Sequence, residues 1–340
     1  MNAESLSGEL RLSQAKIYVS RNWFPEVLNR MASLHEMKVW EGEDAPPRDV
    51  LLNELKDIEG LLPVGTPIDA EIMNAAPKLR VISNFGDGVD HIDVAEATRR
   101  RIPVGHTPDV LTETTADLAL ALLLASARRI VEGDTFVRRE KWKTHAHMEL
   151  PGVDVNHATL GLVGLGKIGI QVAKRARAFN MRVIYYSRNR KFDMESILGL
   201  EYFPDLHSLL AESDFISLHT PLTNETRRII GAAEFAAMKP TAILVNTARG
   251  AVVDQQALYQ ALETRQIQRA AIDVTEIEPI PPDDPLLSLD NLIIMPHIGS
   301  AVPDVRKKMM MMAVDHVLAG LRGERMAHCV NPSVYDSVPG

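Results

Sequence analysis

The chain has 340 residues, enough for two domains at roughly 150 residues each, and domains of that size bury real cores without a disulfide or metal staple. Hydrophobic residues make up 46% and charged residues 24%, and 37 Lys plus Arg against 45 Asp plus Glu leave a net charge of -8, which argues against a nucleic-acid binder, a local basic patch aside. A single cysteine, Cys329, excludes an intrachain disulfide framework and a cysteine-rich zinc site, and reads as a tail thiol without a chemical role.

Residues 1–14 are polar and lack the basic-then-apolar pattern of a secretory signal. The longest apolar run, 118–127, is too short to span a membrane. The expectation is a soluble, cytoplasmic protein with no membrane partner. Short apolar runs at 16–20, 60–64 and 80–84 read as strands. The run Arg99, Arg100, Arg101 reads as a solvated helix end. Thr114 and Asp117 have capping-box spacing and open an apolar helix to about residue 130. That helix carries few charges, so it should be buried between domains or subunits. The polar stretch 138–155, with Trp142, His145, His147, Pro151 and Gly152, reads as a long connection or arm. His145 and His147 are spaced i,i+2, which does not match a helical metal pair, and no metal site is expected.

A more regular series follows, with strands expected at 159–163, 183–187, 215–219, 242–246, 270–274 and 292–295. Apolar runs bounded by turn residues, with helical stretches between several, are the pattern of strands buried on both faces of a parallel sheet. The fold class is therefore α/β, as two such units in one chain. The methionine cluster 309–312 lies on a C-terminal helix and reads as core or interface filler.

Gly164, Gly166 and Gly169 fit G-x-G-x-x-G between the strand at 159–163 and a helical run from 170 to 179. The first glycine allows the tight turn, the second lets a pyrophosphate approach the backbone, and the third lets helix and strand pack closely. The helix start, with Lys167 and Ile168, offers N–H groups and positive partial charge to the phosphates. About 20 residues on, an acidic residue would bind the ribose 2′-OH of NAD. Ser187, Arg188, Asn189 and Arg190 stand there instead. No carboxylate in that stretch repels a 2′-phosphate and two arginines can pair with one, so NADP(H) is preferred, with NAD(H) possible. A solvated arginine loop is the plain alternative.

Further motifs accompany this one: NFGDGVDHID at 84–93, HTPLT at 219–223, VNTARGAVVD at 245–254, AIDVTEIEP at 271–279 and PHIGS at 296–300. With them the sequence resembles the D-isomer-specific 2-hydroxyacid dehydrogenase family from about residue 60 to 325. TPDVLT at 107–112 and the missing acidic residue resemble its glyoxylate/hydroxypyruvate reductase branch. The resemblance implies two Rossmann-like domains with the active site in the cleft between them. The substrate domain would be discontinuous, 1–107 plus 299–340, and the cofactor domain would be 108–298. The helix and arm at 112–150 would lie at a homodimer contact. Trp142 falls where some members send an aromatic from the partner subunit into the site, and a packing tryptophan is the alternative.

The family's catalytic trio carries over to Arg249, Glu278 and His297. A 2-keto acid is an anion that a guanidinium binds through two bonds. Hydride arriving at the keto carbon makes an alkoxide, and an imidazolium is its natural proton donor near neutral pH. A carboxylate beside the ring favours its charged form. Glu276 is the rival for that carboxylate, and Glu278 fits the family's Glu-Pro pattern. Gly86, Asp87 and Gly88 resemble the substrate loop, with Val64 and Gly65 beside it. Asp273 resembles the residue that meets the nicotinamide amide, and Thr115, Pro221, Thr247 and Ala248 are cofactor contacts by position. Arg306 would act on the pocket's field.

The implied activity is reduction of a small 2-keto acid, glyoxylate or hydroxypyruvate first, with 2-ketogluconate the near alternative. NHATL at 156–160 and SAV at 300–302 are also similar to phosphite-oxidising members, but Asp87 would repel a phosphite dianion. A dinucleotide-sensing corepressor is the alternative of another class, which the acidic balance disfavours.

Overall fold

The computed structural model describes residues 14–144 and 150–336. They divide into two compact units, one running to Val110 and resuming at Arg306, the other spanning Leu111–Val305.

The first unit is built on five parallel strands, Lys16–Val19 (β1), Glu36–Val39 (β2), Gly60–Leu62 (β3), Val81–Ser83 (β4) and Val104–Gly105 (β5). Their order is β2-β1-β3-β4-β5, a doubly wound arrangement. β1, β3 and β4 lie within the expected strands. β2 and β5 were not anticipated: β2 is an edge strand without a buried residue, and β5 has two residues. Helices Ala70–Ala75 and Val94–Arg99 start at Asp69 and Asp93, whose carboxylates accept from Ile72 N–H at 3.0 Å and Glu96 N–H at 2.9 Å. Arg99 and Arg100 both pair with Glu96, so the arginine run closes this helix. The core gathers Leu55, Leu61, Ile68, Ile72 and Ile82, all fully buried. Each such side chain stabilises the fold by about 1.5–3 kcal/mol relative to exposure.

The chain returns to this unit along helix Pro303–Leu321. The return falls after residue 305 rather than 298, because Ile298 and Gly299 are hydrogen-bonded to Asp273 of the second unit. Met309 and Met310 are core and Met311 is exposed, which divides the methionine cluster. Asn331 then fastens the tail. Its Oδ1 accepts from Val104 N–H at 2.8 Å, and its Nδ2 donates to Thr98 Oγ1 and the Ile102 carbonyl, each at 3.0 Å.

The second unit has seven parallel strands, Thr159–Val163 (β6), Arg182–Tyr186 (β7), Glu201–Tyr202 (β8), Phe215–Leu218 (β9), Ile243–Asn246 (β10), Arg269–Ile272 (β11) and Leu292–Ile294 (β12). The order is β12-β11-β10-β9-β6-β7-β8, a dinucleotide-fold order with its reversal between β6 and β9. β9 and β10 are buried at every residue, as strands covered on both faces must be. Only the two-residue β8 at the edge was not anticipated.

Helix Thr112–Ala127 differs from the expected capping box. Thr114 already lies within its first turn, and its hydroxyl donates back to the Leu111 carbonyl at 3.1 Å. Asp117 instead pairs with Arg175 at 2.7 Å, which ties this helix to the one at Lys167–Arg177. Arg129 adopts a left-handed conformation, φ 54°, and breaks the apolar run. A separate helix, Ile130–Arg138, follows in the stretch between the expected apolar helix and the arm expected at 138–155. None of its residues is buried, and Ile130, Val131 and Val137 are exposed, as is Trp142 beyond it. His145 and His147 lie outside the described residues. No described helix is long and apolar enough to cross a membrane.

Substituting Asn331→Ala strips the buried Val104 N–H of its acceptor, at a cost of about 2–3 kcal/mol. The expected result is a clearly lower urea midpoint; an unchanged midpoint would mean that water replaces all three bonds.

Candidate active site

β6 runs directly into the glycine turn. Gly164 has φ +96°, and a Cβ there would lie 2.6 Å from the His219 carbonyl oxygen at the end of β9. A Cβ on Gly169 would lie 2.6 Å from the Gly164 carbonyl oxygen. The protein itself therefore requires the first and third glycines. Gly166 is different: no atom lies within 4 Å of the Cβ it lacks. It also forms the N-cap of helix Lys167–Arg177, which has no side-chain cap and no acidic residue in its first turn. Lys167, Ile168 and Gly169 open this helix, a backbone cradle with space and positive partial charge for a pyrophosphate. The turn lies where the strand order reverses, the place such sheets bind ligands. Thr247, after β10, adds a buried hydroxyl with no partner among the described residues, a donor suited to a ligand. These features fit a dinucleotide.

Other positional contacts are less open. The Thr115 hydroxyl donates to the Gly299 carbonyl at 3.3 Å, and the Pro221 carbonyl accepts from Thr226 Oγ1 at 2.6 Å. Ala248 N–H donates to Asn246 Oδ1 at 3.0 Å. His219 is held near neutral Ser217, Nε2 to Oγ 2.8 Å, and burial pushes its pKa down to about 4, so it carries no charge near neutral pH.

Beyond β7, Ser187 is half-buried and Arg188, Asn189 and Arg190 are exposed. The structure corrects the reading that no carboxylate serves this stretch. Glu195 holds Arg190 through two bonds, Nε to Oε1 at 2.9 Å and Nη2 to Oε2 at 2.8 Å. It also accepts from Tyr185 Oη at 2.6 Å. These partners hold the Glu195 carboxyl down at about 2. Arg190 stacks on Phe192 and Tyr202 as well. Arg188 has no ion-pair partner among the described residues, so it is the more available cation.

Three further groups follow the C-terminal ends of neighbouring strands β10, β11 and β12. His297 takes a left-handed conformation, φ 53°, and its N–H donates to the Asp273 carbonyl at 2.9 Å. Its Nδ1 lies 2.7 Å from Glu278 Oε2. Glu278 Oε1 accepts from Thr275 N–H at 3.1 Å, so the carboxylate is held at both oxygens. Glu276 turns to Arg228 instead, 3.0 Å away. With Nδ1 taken, Nε2 is the ring nitrogen left for a ligand. Asp273 is buried and accepts from Ile298 N–H at 2.7 Å and Gly299 N–H at 2.8 Å. Burial raises its pKa, against the pull of those two N–H groups and the neighbouring His297. It thus holds the His297 loop, a role the sequence reading did not assign.

Arg249 is half-buried and extended, with Nη1 donating to the Ala248 carbonyl at 2.8 Å. Buried Asn246 shapes this turn by donating to the Arg249 carbonyl at 2.9 Å. An Asn closing a buried strand is the Asx-turn signal that would have found it. Gly250 is obligatory for packing, because its Cβ would fall 2.0 Å from the Thr275 carbonyl. The Arg249 and Glu278 turns are thereby pressed together.

In the first unit, the loop after β4 is held from inside. Buried Asn84 donates to the carbonyls of Gly86 at 3.2 Å and Gly88 at 2.9 Å, and His91 Nε2 donates to Asn84 Oδ1 at 3.0 Å. His106 Nδ1 donates to the Asp87 carbonyl at 2.9 Å and lies 3.3 Å from its carboxylate. An anion at this loop would have to be met by N–H groups, since these carbonyls already face protein donors. Val64 is buried, its N–H donating to Ser20 Oγ at 2.8 Å, and Gly65 is exposed with φ +62°. Asn84, His91 and His106 were not anticipated as site residues. Arg306 stacks over Trp23, 5.4 Å from the ring centroid.

A parallel sheet with this turn at its switch point, and a held His–carboxylate pair beyond neighbouring strands, defines a dinucleotide-dependent oxidoreductase. Residues 120–299 match the family model described as D-isomer specific 2-hydroxyacid dehydrogenase, NAD binding domain. The chain is 49% identical over 321 residues to a glyoxylate reductase of Korarchaeum cryptofilum, covering 94% of this chain and 96% of that protein. It is 45% identical over 330 residues to one of Thermococcus litoralis, covering 95% and 99%. Among solved structures, a Thermus thermophilus protein superposes with a TM-score of 0.86 at 45% identity, over 93% of this chain and 99% of that one. An NADPH-dependent glyoxylate/hydroxypyruvate reductase of Sinorhizobium meliloti, in complex with NADP and malonate, gives 0.84 at 31% identity, over 96% and 99%. The chain belongs to the D-isomer-specific 2-hydroxyacid dehydrogenase family. It is an enzyme that uses a nicotinamide dinucleotide to reduce 2-keto acids.

The glycines separate protein from ligand requirements. Gly166→Ala should leave the melting temperature unchanged yet weaken binding of NADH and NADPH about tenfold or more. Gly164→Ala should lower the melting temperature itself. Full dinucleotide affinity in Gly166→Ala would remove the turn from the binding site.

Proposed function

We propose that the protein is an NADPH-preferring reductase of glyoxylate and hydroxypyruvate, with NADH as a poorer cofactor, acting as a cytoplasmic homodimer. The observation that carries the chemical assignment is the 2.7 Å contact between His297 Nδ1 and Glu278 Oε2. The named relatives support the substrate class. The unit starting at Leu111 serves the cofactor, and the other serves the substrate.

Arg249 binds the substrate carboxylate and keto oxygen through its guanidinium. The N–H groups of the loop at Gly86, Asp87 and Gly88 hold the carboxylate as well. A reduced nicotinamide dinucleotide held at the turn of Gly164, Gly166 and Gly169 would supply the hydride for the keto carbon. His297 delivers a proton from Nε2 to the keto oxygen as negative charge develops there. Glu278 keeps the ring oriented. In the oxidative direction neutral His297 takes the hydroxyl proton. Arg188 reads the cofactor's 2′-phosphate, and Arg190 joins it to the extent that Glu195 releases it. The exposed Ile130, Val131, Val137 and Trp142 support a subunit contact.

Initial rates with glyoxylate, hydroxypyruvate, pyruvate and 2-ketogluconate, each with NADPH and NADH, test this reading. Turnover of glyoxylate or hydroxypyruvate with an NADPH preference is expected; an NADH preference overturns the selector, and inactivity on the whole panel overturns the substrate assignment. His297→Ala should lower kcat by about 10²–10⁴-fold with cofactor affinity retained. Arg188→Ala should cut the NADPH-to-NADH ratio of kcat/KM about tenfold, whereas Glu195→Gln should raise it by freeing Arg190.

A further inference from the structure

Away from the residues described so far as the site, the first unit holds a cavity of about 620 Å³ along the outer half of helix Pro303–Leu321. Its volume falls within the roughly 300–1,000 Å³ of small-molecule sites. Arg30, Lys308, Arg322 and Arg325 line it, against the single carboxylate of Asp315. In a protein of net charge -8 that is a local inversion of sign. Asp315 is taken by Arg30 at 2.8 Å, and Arg322 pairs outward with Glu324 at 2.6 Å. Lys308 and Arg325 have no ion-pair partner among the described residues. Like charges gathered in a recess repel one another unless an anion joins them. Met311, Met312 and Leu318 supply an apolar wall beside these cations.

The inner wall is His316, 2% exposed, whose Nδ1 has no hydrogen-bond partner among the described residues. Burial and the nearby His328 and His106 push its pKa down to about 4. The ring therefore closes the wall without adding charge, its Nε2 accepting from His328 N–H at 3.4 Å and its Nδ1 lying towards Gly105. His316 stands edge-on to His328, 5.8 Å between centroids, and His328 edge-on to His106 at 6.4 Å. His106 in turn donates to the Asp87 carbonyl. A row of three imidazoles thus connects the cavity with the loop at Gly86–Gly88.

We propose that this cavity binds an organic phosphate, its phosphoryl group held by Lys308 and Arg325 and its apolar body against Met311 and Met312. Guanidinium and ammonium donors give a phosphate charge-assisted bonds. The methionine side chains adapt to an apolar body of irregular shape. Occupancy shifts His316 and His328 and is transmitted through His106 to the loop.

The probe is 1-naphthyl phosphate, titrated by fluorescence against enzyme saturated with NADPH so that the dinucleotide site is filled, with 1-naphthol as the uncharged control. Saturable binding of the phosphate is expected, weakened about tenfold or more by Lys308→Glu and by Arg325→Glu. Both positions are exposed, so the melting temperatures should hold. Hydrogen exchange over 85–91 should slow when the probe binds. No saturable binding at millimolar probe, equal binding of 1-naphthol, or indifference to both substitutions overturns the site. Unchanged exchange over 85–91 despite binding overturns the transmission.

Discussion

Both carboxylate oxygens of Asp273 accept from backbone N–H groups of the segment that carries His297, and the side chain is 1% exposed. A buried carboxylate is costly unless it is met by strong donors, and charge-assisted bonds of 2.7 and 2.8 Å are such donors. Their product is a backbone turn that places a non-glycine residue at positive φ, a conformation costing of order 1–3 kcal/mol that persists only where its surroundings over-determine it. Here they do: the His297 N–H is bonded to the Asp273 carbonyl, the next two N–H groups to its side chain, and the ring to Glu278. Glu278 is fixed by Thr275, and the Thr275 turn is fixed by the close approach of Gly250 beside Arg249. The positions of His297, the proposed acid/base, and of Arg249, the proposed anion-binding residue, are therefore consequences of one packed set of turns.

The dinucleotide turn follows the same logic in a different form. Two of its three glycines are demanded by contacts within the protein, and only Gly166 faces open space. The fold would need the first and third whether or not a ligand bound. The proposed third element of recognition, beyond β7, is adjustable. Arg190 is shared among Glu195, Phe192 and Tyr202, so its charge is partly neutralised before any phosphate arrives. In the proposed reading, cofactor preference is a competition between an internal carboxylate and an external phosphate for one guanidinium, with Arg188 outside that competition.

What could be read from the sequence was what depends on local pattern. β6, β7, β9, β10 and β11 are apolar because both faces are covered, β12 is a half-buried apolar edge strand, and the glycine spacing is a backbone requirement. β2, β5 and β8 escaped because an edge strand with alternating exposure, or one of two residues, leaves no apolar run. The capping box failed because Thr114 has a competing acceptor, the Leu111 carbonyl one turn back. Helix Ile130–Arg138 escaped because the left-handed Arg129 is a break no propensity announces. At the site, Arg249, Glu278 and His297 were singled out through their motifs; Asn84 and Asn246 bond carbonyls two to four residues on, a local turn signal that was passed over, whereas His106 acts on a carbonyl that only tertiary structure brings near. Glu195 lies beyond the stretch where a selector is sought, and its effect on Arg190 exists only once a helix turns it back.

The excess of carboxylates gives the surface a background that repels anions, yet the 2-keto acids, the dinucleotide phosphates and the proposed organic phosphate are all anions. Attraction must then be local and must come from cations that are not neutralised at home. Most described arginines are: Arg48, Arg99, Arg182 and Arg265 each have carboxylate partners on the surface. Such exposed pairs contribute little to stability, but they remove positive charge from places where an anion would bind to no purpose. Arg188 beyond β7, and Lys308 and Arg325 lining the cavity on helix Pro303–Leu321, are among the described cations that have no ion-pair partner. The pairing pattern, more than the total charge, decides where this acidic protein accepts an anion.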